Sequence, residues 1–194
     1  MVLFSAVGKE NTEAAARLAL DKAKELDTDL VLSSNTGYTA EIVLSLAEEL
    51  AFTGRVIVVR SASKAADQGV NRMTPETVQA LEQRGAVIVT CAHALSAGER
   101  GFTAKFQGAY PLDIMANTLR TFGQGTKVCF EVAVMALDTG NLAFGKPVVA
   151  MGGSARGADT ALVITPSYSS TILQTRIHEI LCKPDLLQSP AKEG

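Results

Sequence analysis

The sequence predicts one α/β domain built on a mostly parallel sheet with helices on both faces. Three observations predict it. Residues 30–32, 56–59 and 87–89 are continuous apolar runs rich in β-branched side chains, the pattern of strands buried on both faces. Segments of helical period separate them, so strand and helix alternate. A chain of 194 residues with no composition break suits a single core.

In chain order, residues 2–5 read as a short edge strand. Asn11 or Thr12 is placed to cap a first helix, where Ala15, Ala19, Ala23 and Leu26 recur at helical spacing. Residues 29–33 form the next strand. The second helix carries the clearest pattern: Ala40, Val43, Leu44, Ala47, Leu50 and Ala51 share one face, with Glu41, Ser45, Glu48 and Glu49 opposite. Residues 55–59 are a strand, followed by a polar loop to Met73. Thr74 and Pro75 open a third helix, which Gly85 closes, and residues 86–90 are a strand.

The middle is less regular. Residues 93–109, with three glycines and mixed charge, read as a long loop, and loops of that length often carry function. Pro111 starts a helix with Leu112, Met115, Leu119 and Phe122, which Gly123 and Gly125 break. Residues 126–137 fit either element: their β-branched content favours a strand, while Val128, Val132 and Met135 share a helical face. Residues 147–151, 161–165 and 177–181 are strands. The short stretch 167–170 allows a hairpin and hence an antiparallel last strand. The domain is expected to span residues 1–183, with a polar tail over 184–194.

Composition narrows the function. The apolar share of 47% and net charge of -2 argue against a disordered chain or a nucleic-acid binder. No apolar run reaches the roughly 18 residues of a membrane span, and residues 1–5 do not resemble a secretory leader. Cys91, Cys129 and Cys182 lie far apart, with no CxxC spacing. Buried thiols in a cytoplasmic protein are the expectation, and no metal site is expected from two distant histidines.

Four segments are candidates for chemistry. Ser33, Ser34, Asn35, Thr36, Gly37, Tyr38 and Thr39 join a buried strand to the strongest helix. The amides at a helix start attract an anion, small hydroxyls add donors, and Gly37 admits close approach, which together describe a phosphate cradle. Helix capping alone would need one such residue. The turn lacks the Gly-Lys-Ser/Thr ending of a Walker loop and is not a dinucleotide fingerprint.

The second segment holds Gly152, Gly153, Ser154, Arg156, Asp159 and Thr160. It reads either as a ligand loop beyond a strand end, with Arg156 pairing an anion, or as a glycine-rich turn fixed by Asp159 and Thr160. The third is His93 with Arg100, after another strand: a proton donor or ligand contact, or a structural histidine. The fourth is Glu131 inside an apolar run. It either pairs with Arg100 or Arg156, meets a ligand, or points to water. No Gly-x-Ser-x-Gly elbow supports Ser/His/Asp catalysis, and no acid–base pair is evident.

The turn at residues 30–40 resembles the phosphate-binding turn of the C-terminal domain of pyruvate kinase. The chain is more similar to stand-alone archaeal and bacterial proteins with the pyruvate kinase C-terminal-domain-like fold. Residues 8–12, 36–40, 95–100, 127–131, 138–140 and, most specifically, 152–160 carry that likeness. It implies a three-layer α/β/α domain with a mixed sheet, an antiparallel final strand and a helix over 126–137. It also implies flavin mononucleotide as a ligand, with its phosphate on residues 33–39 and its ring or ribityl chain by residues 152–160. His93, Arg100 and Glu131 would then stand nearby. Kinase activity is not implied, because the catalytic residues of pyruvate kinase lie outside this domain. Tyr38 stands where many of the pyruvate kinase turns carry a basic residue; it would neutralise a sugar bisphosphate poorly and can stack on a flat ring.

Three functions compete at this point: a protein that binds flavin mononucleotide or another nucleotide and is open to flavin-dependent oxidoreductase chemistry, a regulatory module that senses a phosphorylated metabolite without turnover, and a scaffold that self-associates into homo-oligomers through exposed strand edges.

Overall fold

The computed structural model describes residues 1–63 and 68–187. In chain order it contains β1 (Val2–Phe4), α1 (Thr12–Glu25), β2 (Leu30–Ser33), α2 (Tyr38–Glu49), β3 (Val56–Ser61), α3 (Pro75–Gln83) and β4 (Val87–Cys91). There follow α4 (Ala97–Phe106), α5 (Pro111–Arg120), α6 (Gln124–Asp138), β5 (Val148–Gly152), β6 (Thr160–Thr165) and β7 (Arg176–Pro184). The seven strands form one mixed sheet in the order β1-β7-β6-β5-β2-β3-β4.

Alternation along the strands builds two cores. Leu30, Leu32, Val56, Val58, Val149 and Met151 turn to one face, where α1, α2 and α3 pack through Ala15, Ala19, Val43 and Leu81. Val31, Ile57, Val59, Val89 and Ala150 turn to the other, against α6 and α5. Helices cover both faces because both carry apolar side chains, and each fully buried Leu or Val contributes about 1.5–3 kcal/mol. Among the described residues, no helix is long and apolar enough to cross a membrane.

β2, β3, β4 and β5 pair in parallel, so their C-terminal ends share one edge. β7 does pair antiparallel with β6, but β6 also runs against β5. The reversed strand is therefore β6, and β7 returns to the common direction and takes β1 in parallel. Pro184 belongs to β7 rather than to a tail: it pairs with Phe4, and Asp185 N donates to Phe4 O at 2.8 Å. Residues 188–194 of the expected tail, and residues 64–67 of the loop before Met73, lie outside the described residues.

Several local readings change. The loop expected over 93–109 contains α4, which buries none of its residues and therefore shows no apolar stripe. Gly98 and Gly101 sit within it, weakening its helical signal further. Gly123 ends the α5 region, but Gly125 lies inside α6. The ambiguous segment 126–137 is helical. α6 is buried nearly all round, which is why a one-face period did not stand out. Neither expected cap of α1 acts through its side chain: Asn11 Nδ2 donates to Ala6 O, and Thr12 Oγ1 accepts from Ala158 N. Thr74 does cap α3, accepting from Thr77 N at 3.2 Å, with Pro75 in the first turn.

Candidate functional site at the strand ends

Two cavities open at the C-terminal ends of β2, β3 and β5. The larger, about 580 Å³, lies between the start of α2 and the loop after β5. The smaller, about 240 Å³, lies between the ends of β3 and β4 and the face of α6. Ser33, Asn35, Arg72, Gln124 and Val128 line both, so the two share a wall.

Ser33, Ser34, Asn35, Thr36, Tyr38 and Thr39 line the larger cavity. Gly37, the N-cap of α2, makes no side-chain cap bond. The amides of Tyr38 and Thr39 have no acceptor among the described residues, while Ala40 N donates to Ser34 Oγ at 3.4 Å. The helix start therefore keeps donors to offer. Asn35 Oδ1 accepts from Ser61 N at 2.9 Å and ties this turn to the end of β3. Gly37 has a different role from the one expected. Its φ is 98°, and a Cβ there would stand 2.7 Å from Thr77 Cγ2, so the glycine fits α2 against α3 rather than opening the cavity.

The loop after β5 splits in function. Gly153, Ser154, Ala155, Arg156 and Gly157 line the larger cavity. Gly152 and Thr160 do not; both are buried in the packing around α6. Asp159 is fully buried and lines neither cavity. It accepts from Gly8 N, Ser154 N, Ser154 Oγ and Thr160 Oγ1 at 3.0–3.3 Å. Burial pushes its carboxyl up against the pull of those bonds. Asp159 and Thr160 thus fix the turn. Gly157, with φ 76°, lets the loop press on Lys9 and Thr12, where a Cβ would meet Thr12 Oγ1 at 2.3 Å.

His93, Arg100 and Glu131 line the smaller cavity. Glu131 is buried, and its partners are neither Arg100 nor Arg156. Lys127 Nζ lies 2.5 Å and His93 Nδ1 3.2 Å from Oε2, while Leu95 N donates to Oε1 at 3.0 Å. Burial alone would raise this carboxyl. The His93 hydrogen bond and the adjacent Lys127 outweigh burial and hold it at about 2. An ionised carboxylate only accepts, so His93 donates through Nδ1, and in the neutral ring the lone pair sits on Nε2. The structure therefore joins His93 and Glu131 by a hydrogen bond that sequence reading did not pair, because the two stand 38 positions apart.

Lys9, Arg60, Arg72, Arg120, Gln124 and Lys127 also line the cavities and were not singled out from sequence. Lys127 carried a signal, four residues before Glu131 in an apolar segment that would be helical. Lys9 sits 3.9 Å from the Tyr38 ring centroid, so a cation already covers one ring face.

The charge balance of the walls is one-sided. Lys9 and Arg156 face the larger cavity, Arg60, Arg100, Arg120 and Lys127 the smaller, and Arg72 both. Among the described residues, these seven basic side chains face one carboxylate, Glu131, in a chain of net charge -2. The start of α6 adds to the field: its N-cap, Gly123, makes no side-chain cap bond, and Gln124 in its first turn borders both cavities. Burial pushes the Cys129 and Cys182 thiols up, Cys182 to about 12, and so favours their protonated forms. No protein-family model matches the chain.

Proposed function

We propose that this protein binds a phosphate-bearing small molecule in the joined cavities, with flavin mononucleotide the first candidate. One observation carries the reading: among the described residues, seven basic side chains and the starts of α2 and α6 converge on cavities whose one lining carboxylate is already paired. Such a surface favours an anion by both charge and directed amides. The larger cavity has the size of a small-ligand site. Val59, Val128, Val132 and Met135 add an apolar strip to the smaller one, suited to a flat ring. The resemblance to pyruvate kinase C-terminal-domain-like proteins points the same way.

Native mass spectrometry of freshly purified protein, with its visible spectrum, tests the reading. Retained mass of flavin mononucleotide, or saturable binding when it is added, is the expected result. Failure to bind both flavin mononucleotide and inorganic phosphate would overturn it.

A second reading, a module that senses a phosphorylated metabolite without turnover, is favoured by the position of Lys9. The Tyr38 ring it covers is less available for stacking, and more positive charge faces the ligand than one phosphate requires. This reading expects thermal stabilisation by phosphorylated metabolites and none by flavin mononucleotide.

A further inference from the structure

We infer that the smaller cavity is an oxyanion site in its own right, separate from the phosphate cradle, and receives a carboxylate or phosphate group. The inference extends the proposed function and rests on the part of its basic lining that faces the smaller cavity alone. Arg60, Arg100 and Arg120 come from the end of β3, from α4 and from α5, and all three reach one cavity of about 240 Å³.

Their present partners are neutral. Arg60 donates to Thr90 Oγ1 and Met73 O, Arg100 to Ser96 Oγ, and Arg120 to Gln124 Oε1 and Asn117 Oδ1. Among the described residues, no ion pair involves any of them. Glu99 and Asp113 border an adjoining pocket that Arg100 and Arg120 also line, and form no ion pair with either. Glu99 is instead engaged by Leu112 N at 3.0 Å.

Glu131 does not serve as the missing counter-ion, because Lys127 and His93 occupy it. The charges of Arg60, Arg100 and Arg120, with Arg72 of the shared wall beside them, repel each other, and a guest oxyanion relieves that repulsion while accepting paired N–H bonds. The larger cavity meets its own anion with different groups, Lys9, Arg156 and the amides of Tyr38 and Thr39. Two anionic groups can thus be held at once on either side of the shared wall of Ser33, Asn35, Arg72, Gln124 and Val128.

The test is calorimetric titration of the ligand-free chain with inorganic phosphate at low ionic strength. Two sites per chain are expected. Arg100→Met with Arg120→Met should weaken one of them roughly tenfold or more and leave the other. Lys9→Met with Arg156→Met should do the converse. A single site in the wild type, or loss of the same site in both variants, would overturn the inference. A surviving cradle site with no Arg100/Arg120-dependent site would refute this inference alone, leaving the proposed function standing.

Titration with acetate separates the two chemistries. Binding that the Arg100/Arg120 variant loses assigns a carboxylate; binding of phosphate without acetate assigns a phosphate. Should the arginine variant fail to fold, phenylglyoxal modification of the wild-type chain replaces it. Phosphate should protect Arg60, Arg100 and Arg120, mapped by peptide mass, and absence of protection would be decisive against the site.

Discussion

Lys127 and Glu131 face each other across one turn of α6, with Nζ 2.5 Å from Oε2 and both side chains buried. The pair sits under the smaller cavity, where the carboxylate also receives His93 and the Leu95 amide. A single buried carboxylate thus neutralises the lysine, orients the histidine and anchors the segment that leads into α4. Replacing either member is expected to act on stability and on the cavity together.

Glu131→Gln should destabilise the fold by about 3 kcal/mol, because it leaves the Lys127 ammonium buried without its counter-ion. Lys127→Met combined with Glu131→Leu should recover part of that loss by removing both charges. Urea denaturation of the three variants measures it, and a double variant less stable than Glu131→Gln would contradict the account.

The same carboxyl predicts an acid limb in stability. Its folded value, about 2, lies below its ordinary value, so its contribution is complete above roughly pH 4.5 and falls away as pH drops towards 2. The loss expected from this group by pH 2 is on the order of 3 kcal/mol. Denaturation at steps from pH 5 to pH 2 should show it in the wild type, and Glu131→Gln should lack that part of the decline.

At Asp159, substitution should separate shape from charge. Asn can present its oxygen to Gly8 N and Ser154 N while its amide donates to the Ser154 and Thr160 hydroxyls. Asp159→Asn is expected within about 1 kcal/mol of wild type at pH 7. Asp159→Ala orphans two amides and should cost about 2 kcal/mol or more, with weaker ligand binding as the loop at 153–157 loosens. Equal stability of the two variants, read by thermal and urea melts, would remove Asp159 from its pinning role.

Gly37→Ala should cost about 1–2 kcal/mol through its left-handed backbone, plus the contact with Thr77 Cγ2. Adding Thr77→Ser removes the methyl in the way and keeps the hydroxyl that meets Thr74, so it should recover the contact part only. A Gly37→Ala chain as stable as wild type would show that α2 and α3 shift apart without penalty.

Gly125→Ala has no such rescue. A Cβ there would fall 2.0 Å from Thr160 Oγ1 and 2.5 Å from its Cβ, so the start of α6 must move off β6. A loss of about 1–3 kcal/mol is expected, together with weaker phosphate binding, since Gln124 and Lys127 move with the helix. Calorimetry and melting on the same sample test both effects.

The α/β class, most of the strands and the pattern of α2 could be read along the chain, because burial repeats with the local period of each element. Ser33 to Thr39 could be read as well, since strand, turn and helix start are contiguous. Tertiary contact decided the rest. α4 packs too little to leave a stripe, and α6 is buried too completely to show one face. Gly37 answers to Thr77 and Asp159 to Gly8, contacts that no spacing rule contains. The arginines of the smaller cavity come from a strand end, a loop and two helices, and each would read alone as an ordinary solvated charge. Only parallel pairing, which gathers the ends of β2, β3, β4 and β5 on one edge, brings them to a common point; linear order carries no record of that convergence.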